Sequence, residues 1–219
     1  MAHALLAPLE ESRAFAVIRT QTPEQAIAAG HACLRGGLRF LEITLTVPDA
    51  MGVVATLAHV PAAIVGVGSV TIRDQVQAAA RAGAAFSVSP HLDADLVAAA
   101  RSLGLLAVAG GVTPTEMMAA HRAGAELIKI FPGSAFGPGY LKAVREPLPF
   151  LRLMPTGGVD EKNLAAWLDA GACAVGLGGS LLPRQAVAAA DWATVEARAL
   201  EVATLVREWR AKRAALSTP

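Results

Sequence analysis

The chain has 219 residues, 54% hydrophobic and 17% charged, which is enough apolar material for one large core and too little charge for a disordered chain. The formal net charge of +1 excludes the concentrated positive charge of a dedicated nucleic-acid-binding protein. The longest stretch without Asp, Glu, Lys or Arg, 50–72, contains Pro, Gly and Ser and therefore predicts helix, turn and strand rather than a membrane span. Two cysteines without a CxxC motif and an N-terminus unlike a signal peptide favour a cytoplasmic protein.

Short β-type segments alternate with Ala-rich helical segments along the whole chain. The predicted strands are 14–19, 40–46, 63–69, 85–89, 105–109, 127–131, 151–155 and 174–177. The predicted helices are 23–35, 49–58, 73–82, 93–103, 114–123, 139–144, 161–170 and 191–212. Eight such units without a linker predict a single α/β domain over residues 1–219, a (β/α)8 TIM barrel. An open, doubly wound sheet is the alternative architecture.

Two of the predicted helices begin with a recognisable capping sequence. Thr22-Pro23-Glu24-Gln25 and Thr113-Pro114-Thr115-Glu116 each place Thr at the N-cap, Pro at the first helical position and Gln or Glu two positions later. These sequences predict helix starts at Pro23 and Pro114.

The second predicted strand carries a carboxylate at an interior position. Its apolar residues share one parity, so Glu42, Thr44 and Thr46 share the other and face the barrel interior. Since a buried carboxylate is costly without a partner, Glu42 is either a functional residue or one half of a structural ion pair.

The sixth predicted strand carries a lysine on its interior side. Lys129 is the only one of four lysines that lies inside a predicted strand, and it shares its parity with Leu127 and Phe131. Desolvation disfavours the ammonium form, so an interior lysine can act as an amine nucleophile toward carbonyl groups. The alternative is a structural Lys129 that pairs with Glu42.

Glycines follow the last two predicted strands, in the segments 155–159 and 176–181. The loops after strands seven and eight are the usual phosphate site of this fold, because glycines let backbone N–H groups approach an oxyanion. Tight turns without a ligand are the alternative.

Other chemical motifs are incomplete. The segment 66–71 lacks the third glycine of a dinucleotide fingerprint, and there is no P-loop or HExxH motif, so we predict no cofactor. Only His91 among five histidines directly follows a strand, and no set of converging ligands is visible, so we predict no metal site.

Taken together, several of these segments resemble the KDPG/KHG aldolase family. The resemblance runs in order over about residues 10–185, and its motifs are 41–45, 66–70, 88–90, 113–116, 128–132, 155–159 and 178–180. Members of this family cleave 2-keto-3-deoxy-6-phosphogluconate to pyruvate and glyceraldehyde 3-phosphate and, often, 4-hydroxy-2-oxoglutarate to pyruvate and glyoxylate.

The resemblance implies a class I aldolase, a homotrimer of (β/α)8 barrels that uses a lysine Schiff base and no metal. Lys129 matches the Schiff-base lysine, and Glu42 matches the general acid and base. The positions that match substrate-binding residues are Ser69, Pro90, Phe131, Thr156, Gly157, Gly158, Gly179 and Ser180. Among them, Ser69 stands where a threonine is usual beside the substrate carboxylate, and the last four match the phosphate end.

One departure affects the carboxylate contact. Many members carry an arginine four residues after the catalytic glutamate; this chain has Thr46 there, which we also count among the predicted substrate-binding residues. Another branch has an arginine at the end of strand one, where Arg19 lies on the inward parity with Val17, so we assign the carboxylate contact to Arg19. The segment 131–138 also resembles the 6-phosphogalactonate branch, which leaves the preference at C4 open.

Two further functions remain as alternatives to the aldolase. One is a phosphate-binding barrel isomerase or epimerase that uses Glu42 with a second acid and forms no imine. The other is a non-catalytic barrel that binds a phosphosugar. A metal-dependent aldolase is disfavoured, because the sequence shows no ligand cluster.

Overall fold

The computed structural model describes residues 3–216, which contain eight parallel strands in one sheet. The strands are β1 Ala14–Ile18, β2 Phe40–Thr44, β3 Ile64–Gly68, β4 Phe86–Val88, β5 Leu106–Gly110, β6 Leu127–Ile130, β7 Leu153–Pro155 and β8 Val175–Leu177. They lie in sequence order, with β8 beside β1. A single parallel bridge between Thr156 and Gly176 joins β7 to β8, so the sheet curls into a nearly closed barrel. The predicted (β/α)8 fold is confirmed.

The helices lie around the barrel, and all of them except α1, which precedes β1, follow a strand. They are α1 Leu6–Ser12, α2 Pro23–Arg35, α3 Ala50–Ala58, α4 Arg73–Arg81, α5 Ala94–Ser102, α6 Pro114–Ala123, α7 Gly137–Arg145, α8 Leu164–Asp169, α9 Arg184–Ala188 and α10 Trp192–Leu216. The eight predicted helices are all present, whereas α1 and α9 are additional. Within residues 3–216, no helix is both long enough and apolar enough to cross a bilayer.

The capping sequences act as the sequence predicts. Thr22 accepts a hydrogen bond from the backbone of Gln25, and α2 begins at Pro23. At α6, Thr113 and Glu116 form a reciprocal capping box. Each pair satisfies backbone N–H groups that the first turn of a helix leaves without partners.

Five strands, β1, β2, β3, β4 and β6, end one or two residues earlier than predicted. β2 stops at Thr44, because the amide of Val47 donates to the carbonyl of Thr44 and closes a turn (2.9 Å). The prediction that Thr46 belongs to this strand is therefore wrong. β1 likewise stops at Ile18 and β6 at Ile130, so Arg19 and Phe131 begin the loops at the barrel mouth.

Aromatic rings fill the lower barrel interior. The rings of Phe15, Phe40 and Phe86 pack with centroids 4.8 to 6.1 Å apart. Leu6 and Leu9 of α1 belong to the same buried cluster, so this unpredicted helix covers the lower end of the barrel. Burial of this apolar surface is the main force that holds α1 in place. The lower end is therefore closed, and the polar interior residues lie nearer the carboxyl ends of the strands.

Candidate active site

An ion pair between two interior side chains lies at the centre of the site. The Nζ atom of Lys129 donates a hydrogen bond to Oε1 of Glu42 at 3.1 Å. The two residues are only 6% and 0% exposed, respectively. Four strand positions separate β2 from β6 in an eight-stranded barrel, so the side chains meet across its interior. Both predicted inward orientations are confirmed.

The carboxylate of Glu42 keeps one oxygen without a protein partner. Oε2 is buried and accepts no hydrogen bond within residues 3–216. Gly68 lies against the same carboxylate, and a Cβ at this position would overlap Oε1. A purely structural ion pair explains the contact with Lys129. It does not explain a buried acceptor that is left unsatisfied, because such a group costs about 1–3 kcal/mol.

A second unsatisfied polar group comes from Thr156, directly after β7. Thr156 is 5% exposed, and its Oγ1 atom has no hydrogen-bond partner in the described part of the chain. Gly176 of β8 packs against this side chain, and a Cβ there would overlap Oγ1. Unsatisfied buried hydroxyl and carboxylate groups in one barrel are typical of a site that hydrogen-bonds a ligand.

Phe131 forms the wall of the site on the side of the mouth. The centroid of its ring lies 5.7 Å from Nζ of Lys129, within cation–π distance. The residue is 47% exposed, although it lies just after a barrel strand. Its ring also lies near Gly157, where an added Cβ would be 3.3 Å from the ring edge. Phe131 thus lies near both the lysine and the glycine loop.

The loops after β7 and β8 lie together, as the sequence predicts for a phosphate site. Gly157 and Gly158 have φ values of +83° and +79°, a conformation that favours glycine. The hydroxyl of Ser180 donates to the carbonyl of Val159 at 2.9 Å and connects the two loops. Gly179 is exposed, and the space around its Cβ position is open to 4 Å. This open, glycine-rich surface can accept an oxyanion.

Arg19 and Thr46 occupy neighbouring loops at the ends of β1 and β2. The Thr46 hydroxyl lies 2.8 Å from that of Thr44, which donates to the carbonyl of Ile18 at 3.2 Å. Arg19 is exposed and contacts neither Lys129 nor Glu42 by a hydrogen bond or ion pair. It lines a cavity of about 430 Å³ whose walls include Arg184. The carboxylate role of Arg19 stays a prediction.

The remaining predicted site residues lie in loops after β3 and β4. Ser69 has a φ of +64°, an unfavourable conformation for a residue with a side chain. Pro90 is exposed, and its carbonyl packs against Gly110. His91, also exposed, lies 3.1 Å from the hydroxyl of Ser89. No group of three His, Cys, Asp or Glu side chains suited to a metal occurs in residues 3–216. The substrate contacts of Ser69 and Pro90 stay predictions.

Sequence reasoning gave no site role to Gly68 or Arg184, and it placed Gly176 in the phosphate loop without predicting its contact with Thr156. Gly68 and Gly176 make room for the side chains of Glu42 and Thr156, and Arg184 shares a cavity with Arg19. The two glycines had a detectable signal, because each occupies an inward position of its strand. Arg184 had none, because the short helix that carries it shows no periodicity.

Comparison with known proteins identifies the family. A family model described as KDPG and KHG aldolase matches residues 6–198. The chain is 37% identical to the 2-dehydro-3-deoxy-6-phosphogalactonate aldolase of Escherichia coli over 169 residues, which is 76% of this chain and 82% of that protein. It is 31% identical to the 2-dehydro-3-deoxy-phosphogluconate aldolase of Treponema pallidum over 201 residues, 90% and 95% of the two chains.

A solved structure supports the same assignment. The KDPG aldolase of Legionella pneumophila, crystallised with pyruvate captured as a covalent carbinolamine intermediate, matches with a TM-score of 0.83 and 28% identity. The match covers 90% of this chain and 97% of that chain. The aldolases named here are carbon–carbon lyases, and residues 6–198, which the family model matches, contain the Lys129–Glu42 pair and both glycine loops. The chain belongs to the KDPG and KHG aldolase family.

Proposed function

We propose that the protein is a class I aldolase that cleaves 2-keto-3-deoxy-6-phosphogluconate to pyruvate and glyceraldehyde 3-phosphate. One observation carries the proposal: a buried lysine amine lies 3.1 Å from a buried carboxylate that keeps a free oxygen. A lysine nucleophile and an adjacent proton carrier are the two groups that imine chemistry requires.

The first stage joins the substrate to Lys129. Transfer of one proton from Nζ of Lys129 to Oε1 of Glu42 gives a neutral amine and a neutral acid without any exchange with solvent. The amine attacks the C2 ketone and forms a carbinolamine. The acid form of Glu42 then protonates the carbinolamine hydroxyl, which leaves as water, and a cationic imine remains.

The second stage breaks the carbon–carbon bond. Glu42, again a carboxylate, removes the proton of the C4 hydroxyl, and the C3–C4 bonding electrons move into the imine. The aldehyde leaves, and Glu42 returns the proton that it took to C3 of the enamine, which restores the imine and the carboxylate. Water then hydrolyses the imine to pyruvate and free Lys129. Such a positioned acid and base contributes about 10²–10⁴-fold to the rate.

Two anionic ends orient the substrate in this proposal. The loop residues Gly157, Gly158, Gly179 and Ser180 hold the phosphate, while Arg19 and Ser69 hold the carboxylate. Thr156 offers its unpartnered hydroxyl to the pyruvyl group, and Phe131 and Pro90 form the walls. Binding at both ends fixes the scissile bond between them, so remote binding energy contributes to orientation.

Borohydride reduction in the presence of pyruvate tests the covalent step. We expect one reduced pyruvyl group on the peptide that contains Lys129, detected by mass spectrometry. The Lys129→Ala variant should lose both the adduct and the activity, whereas Lys162→Ala, a change at an exposed lysine, should keep both. Isomerisation of a sugar phosphate without any adduct would favour the isomerase alternative, and binding without turnover would favour the non-catalytic barrel.

The C4 epimer, 2-keto-3-deoxy-6-phosphogalactonate, is a second candidate substrate. Two observations favour it: the segment 131–138 resembles the 6-phosphogalactonate branch, and the Escherichia coli relative at 37% identity is named for this substrate. Comparison of kcat/KM for the two phosphates decides between them. Glyoxylate release from 4-hydroxy-2-oxoglutarate tests the third substrate.

The family resemblance also supports a homotrimer, which we propose as the assembly in solution. Light scattering coupled to size-exclusion chromatography measures the molar mass directly. A mass of one or two chains at micromolar concentration contradicts the trimer.

A further inference from the structure

A cavity beside the barrel mouth holds two arginines that have no anionic partner among the described residues. The cavity, about 430 Å³, is lined by Arg19, Thr20, Gln21, Gln25, Leu182, Arg184, Val187 and Ala188. These residues come from the loop after β1, from α2 and from the segment around α9. Neither Asp nor Glu lines the cavity.

Both guanidinium groups are available for a ligand. Arg19 and Arg184 are exposed, and within residues 3–216 neither forms a hydrogen bond or an ion pair. Two like charges in one cavity repel each other, so an anion between them is electrostatically favoured. Guanidinium groups bind carboxylate and phosphate through two parallel hydrogen bonds, which makes an oxyanion the fitting ligand.

The position of the cavity connects it to the reacting groups. Val17 pairs with Glu42 in the sheet, and Arg19, the first residue after β1, lies two residues further toward the mouth. Its backbone is therefore roughly 6–7 Å above the level of Glu42. On the other side, Arg184 follows Ser180 by only four residues, so the cavity adjoins the loop that is proposed to hold the phosphate.

We propose that Arg184 is a further substrate-binding residue, which together with Arg19 holds one of the two oxyanionic groups of the phosphorylated keto acid. This inference rests on the proposed function and assigns a second cation to the same site. The shared chemistry is a guanidinium–oxyanion contact. The oxyanion is the carboxylate if Arg19 acts as proposed above, and it is the phosphate if the cavity instead extends the adjoining phosphate loop, in which case Arg19 also moves to that end.

Two binding measurements on Arg184→Gln distinguish these two ends. If the carboxylate is held, the pyruvate concentration that half-saturates borohydride trapping rises roughly tenfold, as for loss of one charge-assisted hydrogen bond. If the phosphate is held, the dissociation constant of inorganic phosphate rises by a similar factor in calorimetry. In either case, Arg184→Lys should restore part of the affinity, because it keeps the charge but not the fork geometry.

The matched control is Arg122→Gln, which removes an exposed arginine of α6 that lies outside the cavity. Pyruvate and phosphate constants for Arg184→Gln within twofold of those for Arg122→Gln would overturn the inference. The proposed function is judged separately, because saturating pyruvate should still label Lys129 in every arginine variant. Absence of labelling in the unmodified protein defeats the aldolase proposal, whereas the phosphate titration still reports on the cavity.

Discussion

Gly68 lies directly against the carboxylate of Glu42, with no room for a Cβ atom between them. We therefore expect Gly68→Ala to displace the carboxylate from Lys129 while the barrel stays folded. Loss of the 3.1 Å contact removes the path for proton transfer, so kcat should fall by about 10²-fold or more. Steady-state kinetics on the phosphorylated substrate measure this change.

Gly139→Ala is the control for that substitution. Gly139 has open space around its Cβ position and lies in α7, where alanine is the better helix former. This variant should keep its kcat and gain slightly in stability. Equal activities in the two alanine variants would show that the position of the Glu42 carboxylate does not depend on Gly68.

Glu42→Gln removes the proton-carrying group but preserves its shape. The amide cannot accept a proton from Lys129 or from the C4 hydroxyl, so we expect kcat to fall by about 10²–10⁴-fold. KM should change little, because the phosphate and carboxylate contacts remain. Pre-steady-state trapping with pyruvate should also show slower formation of the adduct. A variant with wild-type kcat would contradict the role of Glu42 as acid and base.

The buried ion pair makes a prediction about stability. Glu42→Leu leaves the ammonium of Lys129 buried without its partner, which typically costs about 3–5 kcal/mol. The double variant Glu42→Leu/Lys129→Met replaces the pair with apolar groups and should recover most of that loss. Urea unfolding at neutral pH gives the free energies. A double variant less stable than Glu42→Leu would contradict this account.

The capping box at α6 predicts a pH dependence of stability. Hydrogen bonds from the amides of Thr113 (2.8 Å) and Val112 (2.9 Å) hold the pKa of Glu116 below its usual 4.5. A carboxyl with a lowered folded-state pKa stabilises the fold fully above the unfolded value, and the effect disappears as the pH falls through the folded value.

We therefore expect Glu116→Gln to be less stable than the unmodified protein above about pH 5, with a difference that shrinks as the pH falls below 4.5. Urea unfolding midpoints at several pH values between about 3 and 7 measure the difference. Because Glu116 is exposed, the effect is small. A constant difference across this range would contradict the assignment.

Most of the fold followed from patterns that are local in sequence. Strand and helix periodicities, and the capping residues at Pro23 and Pro114, predicted every βα unit. Helix α1 was missed because it is short, has Pro8 in its first turn and is stabilised mainly by tertiary burial of Leu6 and Leu9. Helix α9 has only five residues, too few to show a period.

The candidate site was predictable where side-chain parity decides the geometry. Alternation placed Glu42 and Lys129 in the interior, and closure of the barrel then brought them into contact. Parity could not place Arg19, because β1 ends before it and a long side chain after a strand has many rotamers. The pairing of Arg19 with Arg184 depends on how the last loop packs, which no local pattern encodes.

The three phenylalanine rings fill the lower barrel, so a substrate reaches Lys129 from the mouth. In the proposed reaction, the pyruvyl group is bonded to Lys129 at the bottom of this passage, and the aldehyde lies between it and solvent. The aldehyde must therefore depart before pyruvate does. Because substrate and products pass through the mouth, product release is ordered. Pyruvate is the last product to leave and, in the synthetic direction, the first substrate to bind.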